Sequence, residues 1–236
     1  MKACIDPINS ISCLERRSTR VPALRGVERG LGSYVGGQPV EVLVVGASTG
    51  GPVALIEFFK QLKSRAPFPL PVLVVQHMPE FFTQILARTI SQKTGWVCRE
   101  AVHGEVLIPG EIRIAPGDYH LKVTRSKQLI LERGPKENYC RPALDPLLRS
   151  VADTFGSRAL AVVLTGTGMD GMRGAESIVR KGGRVFAQDR ESSVCWGMPG
   201  SIVEAGLAAE VGRIDRLVDR VKAAVIASSL KGLRVL

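Results

Sequence analysis

From Val40 onward, short β-branched runs alternate with stretches whose apolar residues recur at helical spacing. Glu41 to Val45 is one such run; the Gly-rich turn GASTGGP follows, and then Leu55, Phe59 and Leu62 recur on one helical face. Pro52 falls in the first turn of that helix, where its missing N–H leaves no bond unmade. Val72 to Val75 is a second run, closed by Gln76 and His77, and Phe82, Ile85, Leu86 and Ile90 carry the next helical period. A strand-helix-strand-helix order at this length predicts βαβ units and a parallel sheet.

The stretch from Val97 to Glu132 breaks that rhythm. Its apolar pieces are short and punctuated by His103-Gly104, Pro109-Gly110, Pro116-Gly117-Asp118 and Ser126-Lys127. That is hairpin chemistry, and it predicts an antiparallel insertion or edge. Alternation then returns: a helix from Leu144 to Phe155, a strand from Ala159 to Leu164, a helix from about Gly171 to Lys181 and a strand from Arg184 to Gln188. A final amphipathic helix carries Ile214, Leu217, Val218, Val221 and Val225. The expected fold is α/β, a doubly wound three-layer sandwich whose mostly parallel sheet carries a β-hairpin insertion.

Residues 1–39 show no period of either kind. They hold Pro7, Pro22, five arginines (Arg16, Arg17, Arg20, Arg25, Arg29) and the glycines at 30, 32, 36 and 37. This segment reads as a flexible basic leader, 40–228 as the folded domain and 229–236 as a C-terminal tail.

The chain has 236 residues, 45% hydrophobic and 23% charged, with a formal net charge of +10. Such basicity favours acidic partners. Aromatics make up only 5%, too few for a base-stacking platform, and no nucleic-acid recognition motif occurs, so no specific nucleic-acid partner is expected. The five cysteines (Cys4, Cys13, Cys98, Cys140, Cys195) are scattered without a CxxC pair, which argues against a zinc site or a disulfide framework. No segment has the length of a signal-peptide core or a membrane span, so a cytoplasmic protein is expected.

In open parallel sheets, chemistry collects beyond the carboxyl ends of the strands. Three such ends bear reactive groups. The first, Gly46-Ala47-Ser48-Thr49-Gly50-Gly51, matches G-x-S-x-G, in which a tight strand-to-helix turn projects a hydroxyl beside free helix N–H groups. A dinucleotide fingerprint would need glycine where Ser48 stands, and a Walker loop would need a lysine. Ser48 could also simply cap the helix. The second end presents His77; only three histidines occur, and His103 and His120 fall in the hairpin region as surface or turn residues. An imidazole is the usual base for a serine nucleophile. The third, Leu164 to Gly171, surrounds Asp170 with glycines at 166, 168 and 171. Asp170 suits the orienting acid of a triad, the N-cap of the following helix, or a loop that cradles phosphate. Together the three ends favour acyl transfer, with a non-catalytic α/β module for a nucleotide or protein partner as the alternative.

The segments VVGASTGGP (44–52), QHMP (76–79), LIPGEIRIAPGDYH (107–120), RPALD (141–145), LTGTGMDG (164–171) and GMP (197–199) resemble the catalytic domain of the chemotaxis protein-glutamate methylesterases, the CheB family. The resemblance runs from about Val40 to about Ala227. It implies hydrolysis of glutamate γ-methyl esters on the cytoplasmic helices of chemoreceptors with release of methanol, and deamidation of certain receptor glutamines. It implies Ser48 as nucleophile, His77 as base and Asp170 as orienting acid, with Thr49, Gly50, Thr167, Gly168 and Met169 supporting the loops and the Thr167 N–H facing the oxyanion. It implies no cofactor and no metal, a methylated chemoreceptor as partner, and membrane contact only through that receptor. Two departures stand out. The family usually reads Thr-Gly-Met-Gly where this chain has Thr165-Gly166-Thr167-Gly168, and residues 1–39 offer no counterpart of the N-terminal receiver domain. A stand-alone enzyme, with any regulator on a separate protein, is therefore expected.

Overall fold

The computed structural model describes residues 38–232. The leader expected at 1–39 thus lies outside the described residues except for Gln38 and Pro39, as do residues 233–236 of the expected tail.

Strand β1 (Val42–Ala47) is buried along its whole length, as a strand covered on both faces must be. Helix α1 (Gly51–Leu62) returns over the sheet to β2 (Val72–Gln76), and α2 (Phe82–Thr94) follows. Next come β3 (Val97–Glu100), β4 (Glu111–Ile114), β5 (His120–Val123) and β6 (Leu129–Glu132). Helix α3 (Leu144–Phe155), β7 (Ala159–Val163), α4 (Met172–Arg180) and β8 (Arg184–Gln188) restore the alternation. The last elements are α5 (Gly197–Glu204), β9 (Glu210–Gly212) and α6 (Ile214–Gly232).

Seven strands form one sheet in the order β3-β4-β2-β1-β7-β8-β9. Every pairing in it is parallel. Alternate residues of β1 serve opposite layers. Leu43 and Val45 pack with Leu55, Phe58, Ile90, Leu217 and Val221 of α1, α2 and α6. Val42 and Val44 pack with Leu144, Leu148, Val151, Ile178 and Ile202 of α3, α4 and α5. This is the expected doubly wound three-layer arrangement.

The region from Val97 to Glu132 contains the expected β-hairpin insertion: β5 and β6 pair antiparallel as a separate two-stranded sheet whose Leu121, Val123 and Leu129 pack in the α3 layer. β3 and β4 instead run parallel and extend the main sheet beside β2. The Pro109-Gly110 turn does not fold β4 back on β3. Gly110 N–H donates to Leu70 O at 2.9 Å, and Glu105 in the connection takes Arg99 at 2.6 Å and Arg113 at 3.0 Å, which fixes the crossover. In α2 the buried face is Thr83, Leu86, Ala87 and Ile90, while Phe82 and Ile85 stand in solvent.

Candidate active site

The order of the sheet reverses at β1, which leads to β2 on one side and pairs with β7 on the other. Ligands in such folds sit at this switch point. The loops that carry Ser48, His77 and Asp170 leave β1, β2 and β7 there.

The backbone of Ser48 is held by neighbouring elements. Its N–H donates to Thr165 O at 3.0 Å, and its carbonyl accepts Gly51 N–H at 2.8 Å and the buried Gln76 Nε2 at 2.9 Å. The N-cap of α1 is Gly50, left-handed at φ 79° and without a side-chain cap bond, so Ser48 is not spent on capping. Gly50 is required there twice over, since a Cβ would also come within 2.8 Å of Val194. Among the described residues the Ser48 hydroxyl makes no hydrogen bond.

His77 is nine-tenths buried, and its Nε2 lies 2.7 Å from Asp170 Oδ2. Its other ring nitrogen, Nδ1, lies 3.5 Å from Cys140 Sγ. Asp170 does not cap α4, whose N-cap is Gly171. It accepts instead from Leu144 N–H at 2.5 Å, Asp145 N–H at 3.1 Å and Asn138 Nδ2 at 2.9 Å, at the positive end of α3. Burial disfavours the charge on Asp170, but the His77 hydrogen bond and the Leu144 N–H outweigh it and hold the carboxyl below its usual range. Burial likewise opposes the charge on His77, yet the hydrogen bonds of Asp170 and Cys140 prevail and push the imidazole up from 6.5 to about 9. Asp145 is the opposite case: burial, reinforced by the neighbouring charge of Asp170, raises its carboxyl.

The loops after β1 and β7 are tied by a hydrogen bond between the Thr49 and Thr167 hydroxyls at 3.0 Å. The backbone N–H groups of Thr49 and Thr167 find no acceptor among the described residues, which leaves two donors beside Ser48. Gly166 donates to Cys195 O and accepts from Met198 N–H, so the 165–168 loop continues the sheet against residues 195–198. Gly168 adopts φ 79°, and Met169 is exposed. Apolar side chains stand out on the same loops and helix starts: Val53, Phe81, Phe82, Ile85 and Val194. Beside His77 opens a cavity of about 390 Å³, lined among others by Met78, Glu80, Lys136, Cys140 and Arg141.

The structure thus joins His77 to Asp170 directly and sets Ser48, Thr49 and Thr167 on adjoining loops, with no hydrogen bond between Ser48 and His77. His120 is not the surface residue its hairpin position suggested. It is buried, with Nε2 against Pro135 O at 2.9 Å and Nδ1 accepting Ala143 N–H at 3.2 Å. Asn138, Cys140 and Asp145, which surround the His77–Asp170 pair, were not singled out from the sequence. Asp145 lies in the RPALD segment, but nothing local marks Asn138 or Cys140, which sit in an aperiodic connection. No group of three or more His, Cys, Asp or Glu side chains placed to hold a metal ion occurs among the described residues.

Known proteins share this arrangement of sequence and fold. A crystal structure of the Thermotoga maritima CheB methylesterase catalytic domain superposes with a TM-score of 0.72 at 38% identity, covering 77% of this chain and 96% of that one. The protein-glutamate methylesterase/protein-glutamine glutaminase 1 of Paramagnetospirillum magneticum is 46% identical over 74% of this chain and 46% of its own length. The corresponding protein of Nocardioides sp. is 49% identical over 72% of this chain and 46% of its own length. The chain therefore spans about half the length of the curated relatives it matches. Residues 43–221 match the family profile of the CheB methylesterases, and the chain belongs to that family.

Proposed function

We propose that this protein is a serine hydrolase that demethylates glutamate γ-methyl esters on the cytoplasmic helices of chemoreceptors, releasing methanol, and that deamidates glutamines at the same site. The observation that carries the reading is the 2.7 Å contact of His77 Nε2 with a buried, helix-capped Asp170, one loop away from an unbonded serine hydroxyl. The names of the relatives, which pair methylesterase with glutaminase, support the substrate.

Asp170 fixes the tautomer of His77 with the proton on Nε2, which leaves Nδ1 as the basic nitrogen. Ser48 Oγ attacks the ester carbonyl while Nδ1 takes its proton. The oxyanion that forms is stabilised by the N–H groups of Thr167 and Thr49. Collapse expels methoxide, which leaves as methanol with the proton from Nδ1, and the glutamyl-serine ester remains. Water, deprotonated by the same nitrogen, hydrolyses that ester to glutamate and restores Ser48. With an amide in place of the ester the first product is ammonia. No residue in this sequence of steps calls for a metal or cofactor.

The exposed apolar groups Val53, Phe81, Phe82, Ile85 and Val194 support a substrate side chain presented on a protein surface. No described helix is long and apolar enough to cross a membrane, so membrane contact through the receptor alone, in the cytoplasm, belongs to this reading. A separate regulatory protein is part of it as well.

The test is methanol release from a methylated chemoreceptor preparation by wild type, Ser48→Ala, His77→Ala and Asp170→Asn. Release abolished in the first two variants and reduced at least ~100-fold in the third is the expected result. Release that persists in folded Ser48→Ala removes the nucleophile assignment. No release by folded wild type on several receptors moves the protein to the alternative, a binding module that retains the loops.

A further inference from the structure

One nucleophilic group at the site has no part in the steps above. Cys140 lies in the connection between β6 and α3, and its Sγ stands 3.5 Å from His77 Nδ1, the nitrogen that must accept the Ser48 proton. The position of the thiol is set by the backbone. Cys140 N–H donates to Glu137 O at 2.9 Å and Glu137 N–H to Cys140 O at 3.1 Å, and the Glu137 carboxylate is gripped by Arg149 at 2.6 Å. With Asp170 on Nε2, the imidazole is therefore held at both nitrogens. A neutral ring accepts the S–H at Nδ1, and a protonated ring donates N–H to the sulfur. In either state the lone pair needed for general-base catalysis is occupied.

We propose that Cys140 is a positioning residue for the base: its thiol occupies Nδ1 of His77 in the resting enzyme, and substrate binding at Ser48 must displace that contact before proton transfer. The proposal rests on the assignment of His77 as base. The cavity beside the ring is lined by Glu80 from its own loop, Lys136, Tyr139, Cys140 and Arg141 from the β6–α3 connection and Asp118 from the β4–β5 connection, and Asp170 from the β7–α4 loop holds Nε2. Asp145 on α3 lies behind Asp170. Of these, Asp170 and Cys140 hold the ring nitrogens, so deleting the thiol leaves Asp170 as the one remaining partner.

The experiment has two readouts. The first is the pH profile of kcat/KM for methanol release by wild type, Cys140→Ser and Cys140→Ala. The acid limb is expected to move to lower pH in Cys140→Ala, which raises activity on that limb by up to ~10-fold. Cys140→Ser, which keeps a hydrogen-bonding group, should fall between. A merely structural role would lower the whole profile without moving the limb. The second readout needs no substrate: NMR titration of the three histidine side chains. The His77 midpoint is expected to fall in Cys140→Ala. A His77 midpoint and an acid limb that both stay where they are in folded Cys140→Ala overturn the proposal. A midpoint that falls in a wild-type protein that releases no methanol upholds the contact and instead removes the proposed substrate.

Discussion

Asp145 and Asp170 are neighbouring buried carboxylates joined through one amide, since Asn138 Nδ2 donates to Asp145 Oδ2 and to Asp170 Oδ1 at 2.9 Å each. Two like charges this close favour different protonation states. Asp170, with two backbone N–H donors and His77, is held charged, and Asp145 is pushed up. The amide bridges the pair, and Gly174 N–H supports Asp145 at Oδ1 from 2.7 Å.

Replacing Asn138 should therefore be costly through the two carboxylates it bridges. Asn138→Ala removes one donor from each carboxylate and is expected to lower stability by about 1–3 kcal/mol. Asn138→Asp, which adds a third carboxylate, should lose more. Urea denaturation of the two variants measures this, and equal stability of Asn138→Asp and wild type would rule out the shared amide.

The pH dependence of activity and of stability should run in opposite directions above neutrality. His77 has a folded-state value of about 9 against an ordinary 6.5. Below 6.5 the imidazole is protonated in both native and unfolded chains, and its stabilising contribution is complete. Between 6.5 and 9 the native state binds more protons, so raising the pH removes that contribution, at most on the order of 3 kcal/mol. The neutral form that the proposed mechanism uses as base grows in the same interval. Activity should climb about tenfold per pH unit up to about pH 9 while the urea midpoint falls. At the acid end Asp170 acts the other way: its lowered pKa stabilises the fold above the carboxylate range, and that stability is lost as the pH falls through its folded value.

Gly166 tests how closely the loop after β7 packs on Ser48. Its φ is not in the left-handed region, so the restriction is space alone. A Cβ there would lie 2.9 Å from Ser48 Cβ and press on Met198 Sδ. Gly166→Ala is expected to cost about 1–3 kcal/mol of stability through overpacking and to lower kcat by displacing Ser48. Unfolding curves and methanol release with Gly168→Ala beside it separate the causes, because no atom lies within 4 Å of a Cβ at Gly168 and only its positive φ is strained.

Much of this architecture was readable in the chain because it rests on local signals. The runs at Val72–Val75 and Arg184–Gln188 and the helix from Leu144 to Phe155 declare themselves by period and by their breakers. Helix α5 does not, since Gly197, Pro199 and Gly200 are poor helix formers; burial of Met198 and Ile202 overrides that propensity. β3 and β4 form an edge of the sheet but run parallel, because Pro-Gly and His-Gly pairs mark a turn without saying whether the chain returns antiparallel or crosses over. The site shows the same division. Ser48 and His77 follow directly on β1 and β2 and Asp170 stands in the loop after β7, and that position made them visible. Asn138 and Cys140 reach the site only through the tertiary path of the β6–α3 connection, and no spacing along the chain encodes that contact.

The exposed apolar groups on α2 should govern recognition of the substrate and not its chemistry. Phe82 and Ile85 are 53% and 56% exposed, on a helix whose opposite face is buried. Exposed aromatic and aliphatic groups beside a site mark a surface that a partner covers. Phe82→Ser and Ile85→Ser together remove no core contact, so stability is expected to stay within about 0.5 kcal/mol of wild type. On methylated receptor the double variant should raise KM several-fold with kcat nearly unchanged, the pattern of lost uniform binding. On a small soluble methyl ester of glutamate, which cannot reach α2, its turnover should equal wild type. Equal losses on receptor and small ester would place the two residues in the catalytic step and end their role in docking.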